Sequence, residues 1–151
     1  MDAISLRPLT PENWGQCIKL SVRDDQKNFV ASNVYSIAEA KIYPECVALA
    51  IYAAETMVGF VMYALSSEDQ RYWIIRYMID HSFQGKGYGR AALKVVLDQM
   101  SRLPGCEKIF LSYEPHNLVA EALYNSFGFQ PTGEILEGEK VSCLELKNRR
   151  E

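Results

Sequence analysis

The most informative stretch of this sequence is residues 84–90, Gln84-Gly85-Lys86-Gly87-Tyr88-Gly89-Arg90. The segment lies between a run of β-branched and aromatic residues, Tyr72–Ile79, and a helical pattern over 88–102. Glycine permits tight turns and lets a ligand approach the backbone with no Cβ in the way. The helix that follows directs its unpaired N–H groups and the positive end of its dipole at the segment. The pattern therefore predicts an anion site suited to phosphate or pyrophosphate.

Two common phosphate-binding patterns do not fit this segment. A nucleotide-hydrolase P-loop requires Ser or Thr after its lysine, whereas Lys86 is followed by Gly87. A dinucleotide fingerprint requires G-x-G-x-x-G near the start of a βαβ unit, and here the third glycine comes one residue early, past the middle of the chain. A loop that needs glycine only for its turn is one remaining alternative. The other is Q-x-x-G-x-G, met by Gln84, Gly87 and Gly89.

Hydrophobic periodicity predicts the other elements of the chain. Strands are expected at 3–7, 47–53, 57–65, 72–79, 108–113, 129–130, 135–136 and 141–146. Helices are expected at 11–22, from an N-cap at Ser36 to before Pro44, at 88–102 and at 117–127. In the helix 88–102, apolar residues recur at helical spacing at Ala92, Leu93, Val96, Leu97 and Met100. The order predicts a mixed α/β (α+β) fold in a single domain over residues 1–151.

Composition excludes several classes of protein. Hydrophobic residues make up 48% and charged residues 23% of the 151 residues, as in globular domains. The net charge of -3 argues against nucleic acid as a partner. No run of about 18 apolar residues indicates a membrane span, and the N-terminus has no signal-peptide core, so a cytoplasmic location is expected. The four cysteines form no C-x-x-C pair and the two histidines no ligand spacing, so no metal is expected.

The segment 84–90 resembles the central motif of the GCN5-related N-acetyltransferases, (R/Q)-x-x-G-x-(G/A), which binds acetyl coenzyme A. A second motif of the same family has an Asn that opens a helix, then an aromatic residue and a Gly-Phe. It is met here by Asn117, Ala120, Leu123-Tyr124 and Gly128-Phe129. Both motifs occur in the family's order. The resemblance implies a mostly antiparallel central sheet of six to seven strands flanked by about four helices.

The resemblance also implies a set of residues for acetyl-CoA as the acetyl-donor cosubstrate. These are Met78, Ile79, Gln84, Gly85, Lys86, Gly87, Tyr88, Gly89, Arg90, Asn117 and Tyr124. Asn117 and Tyr124 are nearly two helical turns apart, so both face the same way. Asn117 would then contact the pantetheine arm and Tyr124 the thioester sulfur, with Tyr124 as the catalytic acid. A plain N-cap role for Asn117 and a core role for Tyr124 remain open alternatives.

The implied reaction is direct acetyl transfer to an amine. The oxyanion would need backbone N–H donors near Met78–Ile79, where a splayed strand exposes them. The amine must lose a proton, since an alkylamine with a pKa of about 10.4 is charged near neutral pH. Polyamine-acetylating relatives often carry a carboxylate on the preceding strand, where this chain has Ile75 or Arg76. Glu114 acting through water and a water chain to bulk solvent are the two candidate routes for the proton.

The first half is most similar to the bacterial spermine/spermidine (diamine) acetyltransferases, through residues 25–30 followed by Ser32-Asn33. A polycation favours acidic and aromatic partners. The predicted substrate-binding residues are Asp25, Phe29, Trp73, Tyr77 and Glu114. Other acceptors remain open, namely an aminoglycoside, an amino acid or a protein amine, as does a non-enzymatic acyl-CoA-binding regulatory module. A homodimer through an exposed strand at Val141–Leu146 is also expected, with an exposed tail over 147–151.

Overall fold

The computed structural model describes residues 2–147, and the tail prediction for residues 148–151 lies outside them. The strands are β1 Ile4–Pro8, β2 Val47–Ala53, β3 Thr56–Leu65, β4 Tyr72–Ile79, β5 Lys108–Tyr113, β6 Gln130–Leu136 and β7 Glu139–Glu145. The helices are α1 Trp14–Cys17, α2 Asn33–Ile42, α3 Tyr88–Met100 and α4 Leu118–Ser126, with short 3-10 turns at Asp24–Gln26 and His81–Phe83. None of the helices within 2–147 has the length and apolar character that crossing a membrane requires.

One sheet contains all seven strands, in the order β1-β2-β3-β4-β5-β7-β6. Every neighbouring pair is antiparallel except β4 and β5, which are parallel. These two strands pair only where Tyr72 faces Ile109 and Trp73 faces Phe110. Beyond those pairs the ladder stops, and a cavity opens between β4 and β5. The mixed fold and the mostly antiparallel sheet with four helices confirm the sequence prediction.

Each face of the sheet buries its own apolar cluster. The apolar stripe of α3 lies in the cluster on one face, which also includes Tyr124 of α4. The five predicted core residues of α3 are all fully buried. Cys17 of α1 lies in the cluster on the other face, with Ile37 and Ala40 of α2 packed against it. The gap between β4 and β5 therefore lies between two helical layers, with α3 and α4 on one side and α1 and α2 on the other.

A β-bulge in β4 increases the separation of the two strands. Met62 of β3 pairs with Arg76 and the next residue, Tyr63, pairs with Ile74, so Ile75 is an extra residue on β4. A bulge bends its strand and increases the local twist. It lies just after the last pair between β4 and β5, where the gap begins.

The region before β2 differs from the prediction. The helix predicted over 11–22 is only the single turn α1, because Ser21 bonds the end of β4 instead of continuing a helix. Its N–H donates to Asp80 Oδ1 over 2.8 Å, and its carbonyl accepts from His81 N–H over 2.8 Å. The N-cap of α2 is Ser32, which accepts from Tyr35 N–H, and the predicted cap Ser36 is buried one turn inside the helix.

The C-terminal hairpin also differs from the prediction. The two pieces predicted at 129–130 and 135–136 form one strand, β6, with an irregularity between Pro131 and Ile135. The prediction that Val141–Leu146 offers a free edge is wrong, because β7 pairs with β5 on one side and β6 on the other. The edges of the sheet within the described residues are β1 and β6.

Candidate active site

A cavity of about 830 Å³ passes through the gap between β4 and β5. On one side it is bordered by the glycine segment and the first turns of α4, and on the other by residues 22–31. The β6–β7 turn closes its far end through Glu137 and Glu139. The cavity thus joins the segment that the sequence marks as an anion site to residues of β4, β5, α4, the β6–β7 hairpin and the stretch 22–31.

The glycine segment fits the conformation predicted for it. Gly87 is the N-cap of α3 with φ of 89°, and Gly85 has φ of 76°, both in the left-handed region that glycine tolerates. Gly89 lies in the first turn of α3 and borders the cavity. A Cβ placed on Gly89 would have one protein neighbour, Ile79 Cγ1 at 3.8 Å. The backbone N–H groups of this first turn therefore lie next to open space.

The side chains of Lys86, Tyr88 and Arg90 contact protein, and these three residues lie outside the cavity lining. The Lys86 ammonium lies 5.9 Å from the centre of the Phe83 ring, and the Tyr88 ring packs edge-on against Phe83 at 6.2 Å. Arg90 Nη1 donates to Ser126 Oγ over 2.8 Å. The groups that this segment offers to an anion are therefore main-chain N–H groups at the positive end of the α3 dipole.

Gln84 connects the two sides of the cavity. Its Nε2 donates to Gln26 Oε1 and to the carbonyl oxygen of Ile79, each over 2.9 Å. The residue lines the cavity, as predicted for a coenzyme-binding residue, but its amide N–H groups already serve the protein. Gln84 therefore holds the segment 22–31 against the end of β4.

The free edge of β4 supplies backbone donors. Asp80 N–H donates to Val58 O across the β3–β4 ladder. Because the direction of these bonds alternates along an antiparallel strand, the N–H of Met78 also points toward β3. The N–H groups of Tyr77 and Ile79 point the other way, into the gap. Of the backbone oxyanion donors predicted near Met78–Ile79, the N–H of Met78 is therefore excluded. The N–H groups of Tyr77 and Ile79 remain as candidates.

Tyr77 has a structural bond that the sequence did not indicate. It borders the cavity, and its hydroxyl donates to the carbonyl oxygen of Gly89. Burial holds the pKa of this phenol well above its ordinary value. Tyr77, predicted to bind substrate, therefore anchors the first turn of α3 to β4.

Asn117 and Tyr124 line the same cavity. Asn117 is the N-cap of α4, with Oδ1 accepting from Ala120 N–H over 3.2 Å, so its Nδ2 group is still available as a donor. N-cap and cavity-facing roles therefore coexist in Asn117. The Tyr124 ring packs against Tyr113 and Phe129, each at 5.9 Å, and is only 8% exposed. The Tyr124 hydroxyl has no hydrogen-bond partner within residues 2–147.

The environment of Tyr124 keeps its phenol protonated. Burial is the main cause that raises its pKa, followed by the negative charge of Glu139 and the nearby Tyr113. Tyr124 is therefore a hydrogen-bond and proton donor throughout the neutral range. Glu139 and Tyr124 line the same cavity.

Sequence reasoning missed three residues at the far end of the cavity, Ser112, Glu137 and Glu139. Ser112 Oγ donates to Glu139 Oε1 over 2.7 Å, and all three residues border the cavity. The sequence reads Glu-Gly-Glu at a hairpin turn, which is an ordinary solvated pattern. Only the strand order, with β7 beside β5, places these carboxylates at the gap.

The charges that line the cavity are unevenly compensated. Each cation has a carboxylate partner: Arg23 with Asp25, Lys27 with Asp24, and Arg76 with Glu39, at N–O distances of 3.3, 2.8 and 3.3 Å. Glu137 and Glu139 have no cationic partner among residues 2–147. The far end of the cavity therefore carries two uncompensated negative charges.

Three predicted substrate-binding residues lie away from the cavity lining, whereas Phe29 borders it. Trp73 lies at the paired end of β4, where its ring stacks on Phe110 at 5.5 Å. Asp25 is exposed in its ion pair with Arg23. Glu114 accepts from His116 N–H over 2.8 Å in the turn after β5. Within the described part of the chain, no cluster of three potential metal ligands occurs.

Known proteins resemble this chain in sequence and in fold. The model of the acetyltransferase (GNAT) family matches residues 12–129. The spermine/spermidine N(1)-acetyltransferase of Bacillus subtilis (strain 168) is 33% identical over 151 residues, which is 95% of this chain and 99% of that protein.

Two solved structures share the fold at low identity. The spermidine N-acetyltransferase of Vibrio cholerae, in complex with CoA and spermine, has a TM-score of 0.76 and 18% identity, covering 98% of both chains. An acetyltransferase of Thermus thermophilus has a TM-score of 0.74 and 18% identity, covering 96% of this chain and 99% of that one. Because the family model spans most of the chain and a relative aligns over nearly all of it, the chain belongs to the GNAT family and is an N-acetyltransferase.

Proposed function

We propose that this enzyme transfers an acetyl group from acetyl-CoA directly to a primary amine of a polyamine such as spermine or spermidine. One observation carries the proposal. A single cavity is lined by the glycine segment, by Tyr124 and by two carboxylates, Glu137 and Glu139, that have no cationic partner within residues 2–147. An anionic coenzyme and a cationic acceptor would each meet complementary groups there.

The coenzyme would bind along the α3 side of the cavity. Its pyrophosphate would accept from the N–H groups over 87–90, at the start of α3. The pantetheine arm would follow the free edge of β4 and accept from Asn117 Nδ2, whose Oδ1 is already used as the helix cap. The thioester would then reach the gap between β4 and β5, next to Tyr124.

Two groups would stabilise charge during the transfer. The N–H groups of Tyr77 and Ile79 face the gap and would donate to the oxyanion of the tetrahedral intermediate. Tyr124 would donate a proton or a hydrogen bond to the departing thiolate, which its buried and protonated phenol suits.

The acceptor would enter past residues 22–31, where Phe29 offers an aromatic surface. Glu137 and Glu139 would attract its ammonium groups, and two carboxylates favour an acceptor with more than one cation. The Bacillus subtilis relative, named for spermine and spermidine, supports the same acceptor class. A cytoplasmic location and a homodimer stay predictions from the sequence.

Steady-state assays that follow free thiol test the proposal. We expect turnover with spermine and spermidine, and a kcat/KM at least about tenfold lower for butylamine and a peptide with a single amine, which lack a second cation, and for lysine, whose α-carboxylate offsets its second ammonium. One lost ion pair of about 1.4 kcal/mol corresponds to that factor. Thiol release no faster than background hydrolysis with every polyamine would overturn the acceptor assignment. Coenzyme binding, measured separately by calorimetry, tests the acetyl-CoA site independently.

A further inference from the structure

We infer that Glu139 is the general base that takes a proton from the acceptor ammonium, and that Ser112 is the residue that positions it. The inference rests on the proposed function and names the group that deprotonates the amine. The sequence had left this step to Glu114 or to a water chain.

The sheet fixes the contact between the two residues. Ser112 of β5 pairs with Val141 of β7. Glu139 precedes Val141 by two residues, so its side chain emerges on the same face of the sheet as Ser112. The Ser112 hydroxyl holds Oε1 of Glu139 over 2.7 Å, and Oε2 has no partner within residues 2–147. One carboxylate oxygen of this cavity-lining residue is thus held in place while the other is left without a protein partner.

Within residues 2–147 the Glu139 carboxylate has a neutral partner, the Ser112 hydroxyl, and no cationic one. Lys140, the next residue, emerges on the opposite face and pairs with Glu121 of α4 at 3.4 Å. The charged and titratable groups around the cavity come from the turn, from β4, β5 and α4, and from residues 22–31: Glu137, Arg76, Tyr77, Tyr113, Tyr124, Arg23 and Lys27. The three cations among them are already paired with other carboxylates.

Glu139 also lies at the correct end of the cavity for this role. Glu139 and Tyr124 line the same cavity, so the carboxylate and the candidate acid border one reaction space. An amine that attacks a thioester beside Tyr124 would therefore arrive within reach of Glu139. Glu114, by contrast, is bonded to the backbone of His116 and does not border the cavity.

The protons balance in this scheme. Glu139 takes one proton from the ammonium, and the neutral nitrogen attacks the thioester carbon to form the C–N bond. The C–S bond breaks as the carbonyl re-forms, and Tyr124 protonates the leaving thiolate. The second proton lost by the nitrogen restores the phenol. The proton on Glu139 leaves to solvent, so each turnover releases one proton and free CoA thiol.

Three matched substitutions test the inference: Glu139→Gln, Glu137→Gln and Glu114→Gln. We expect Glu139→Gln to lower kcat at about pH 7 by about a hundredfold, the lower part of the range for general-base catalysis. Its rate should rise by about tenfold for each added pH unit, because the free amine then forms in solution. Glu137→Gln should raise the KM for spermine a few fold at nearly unchanged kcat, and Glu114→Gln should leave both unchanged.

Ser112 variants separate positioning from structural damage. Ser112→Ala should lower kcat about tenfold without changing the KM for acetyl-CoA, and Ser112→Thr, which keeps a hydroxyl, should restore most of it. If Glu139→Gln did not fold, Glu139→Asp carries the same test. This variant should have a reduced kcat and a pH profile of wild-type shape, since a carboxylate remains.

Several outcomes overturn the inference while the wild-type enzyme still acetylates polyamines. These are a wild-type pH profile in Glu139→Gln, a loss confined to the KM for the amine, and an unaltered kcat in Glu139→Asp. Failure of the proposed function has a different signature, because the wild-type enzyme itself would then release no thiol with polyamines.

Discussion

The two ends of the cavity are built in different ways. The proposed coenzyme end consists of main-chain N–H groups from one continuous stretch, 85–90, and from the free edge of β4. The proposed acceptor end consists of side chains from residues 22–31, β4, β5 and the β6–β7 hairpin. The first end therefore depends on backbone conformation and on the absence of Cβ atoms, and the second on the placement of charges. Substitutions that harm one end should spare the other.

Tyr124 borders the cavity that contains both ends, and removal of its hydroxyl should lower kcat strongly. Tyr124→Phe should lower kcat by about a hundredfold, since a positioned proton donor contributes about 10²–10⁴-fold. The KM for acetyl-CoA should stay nearly constant, because the ring and its contacts with Tyr113 and Phe129 remain. Steady-state kinetics measure both values. Undiminished kcat in this variant would remove the acid role.

Gly89→Ala separates ligand approach from folding at the coenzyme end. The added Cβ has only an ordinary contact with Ile79, and alanine favours a helix by up to about 1 kcal/mol over glycine. The free energy of unfolding should therefore not fall. The same Cβ should cost one hydrogen bond to an anion, about 1.5–3 kcal/mol, and raise the coenzyme Kd at least about tenfold.

Gly15→Ala is the matched control for this prediction. Gly15 lies in α1, outside the cavity lining, and an added Cβ there has no neighbour within 4 Å. Calorimetry with CoA should therefore give the wild-type Kd. Equal Kd values for the two alanine variants would mean that the pyrophosphate does not approach Gly89.

Alkaline pH tests whether the Tyr124 phenol is shielded from water in the folded protein. Burial raises the pKa of Tyr124 above its ordinary value of 10.0, so the folded protein holds this proton after the unfolded chain has lost it. The contribution to stability is complete below about pH 10 and is lost as pH rises beyond it. The free energy of unfolding should fall less steeply in Tyr124→Phe, by about 1.4 kcal/mol per pH unit.

Urea denaturation at several pH values, from about 8 to about 11, measures this difference in slope. The thiol of Cys17, whose pKa burial raises to about 11, contributes to both proteins and cancels in the comparison. Parallel curves for wild type and Tyr124→Phe would mean that the Tyr124 phenol is solvated in the folded protein.

The conformation of the glycine segment could be predicted from sequence because its features are local. The left-handed conformation at Gly87 requires glycine. This requirement is visible in the local sequence, because Gly87 directly precedes the helix that it caps. The shared face of Asn117 and Tyr124 follows from the helical period alone. Neither inference needs to know which strands are neighbours.

The acceptor end could not be predicted because its contacts depend on strand order. Ser112 meets Glu139 only because β7 lies beside β5, and no local pattern encodes that pairing. Trp73 had the right residue type for a cation but lies at the paired end of β4, where the strands leave no gap. The segment before α2 was misassigned because the tertiary bonds of Ser21 to β4 override its helical periodicity.

Salt should affect the KM values for spermine and for acetyl-CoA to different extents. Raising the salt concentration from about 0.1 M to about 1 M shortens the screening length from about 10 Å to about 3 Å. The KM for spermine should rise about fivefold, since its ammonium groups are attracted by Glu137 and Glu139. The KM for acetyl-CoA should change less than about twofold, because short backbone hydrogen bonds are little screened. Equal salt sensitivity of the two KM values would contradict the difference between the ends.

Lys86 offers the smallest and most selective test, because its charge, in the middle of the glycine segment, could be mistaken for the source of phosphate affinity. Its ammonium lies over Phe83 in solvent, outside the cavity lining. An exposed charge contributes at most about 1 kcal/mol. Lys86→Ala should therefore raise the coenzyme Kd less than about fivefold, below the effect of Gly89→Ala. A larger loss of coenzyme affinity, measured by the same calorimetry, would mean that the Lys86 side chain and not the main chain binds the anion.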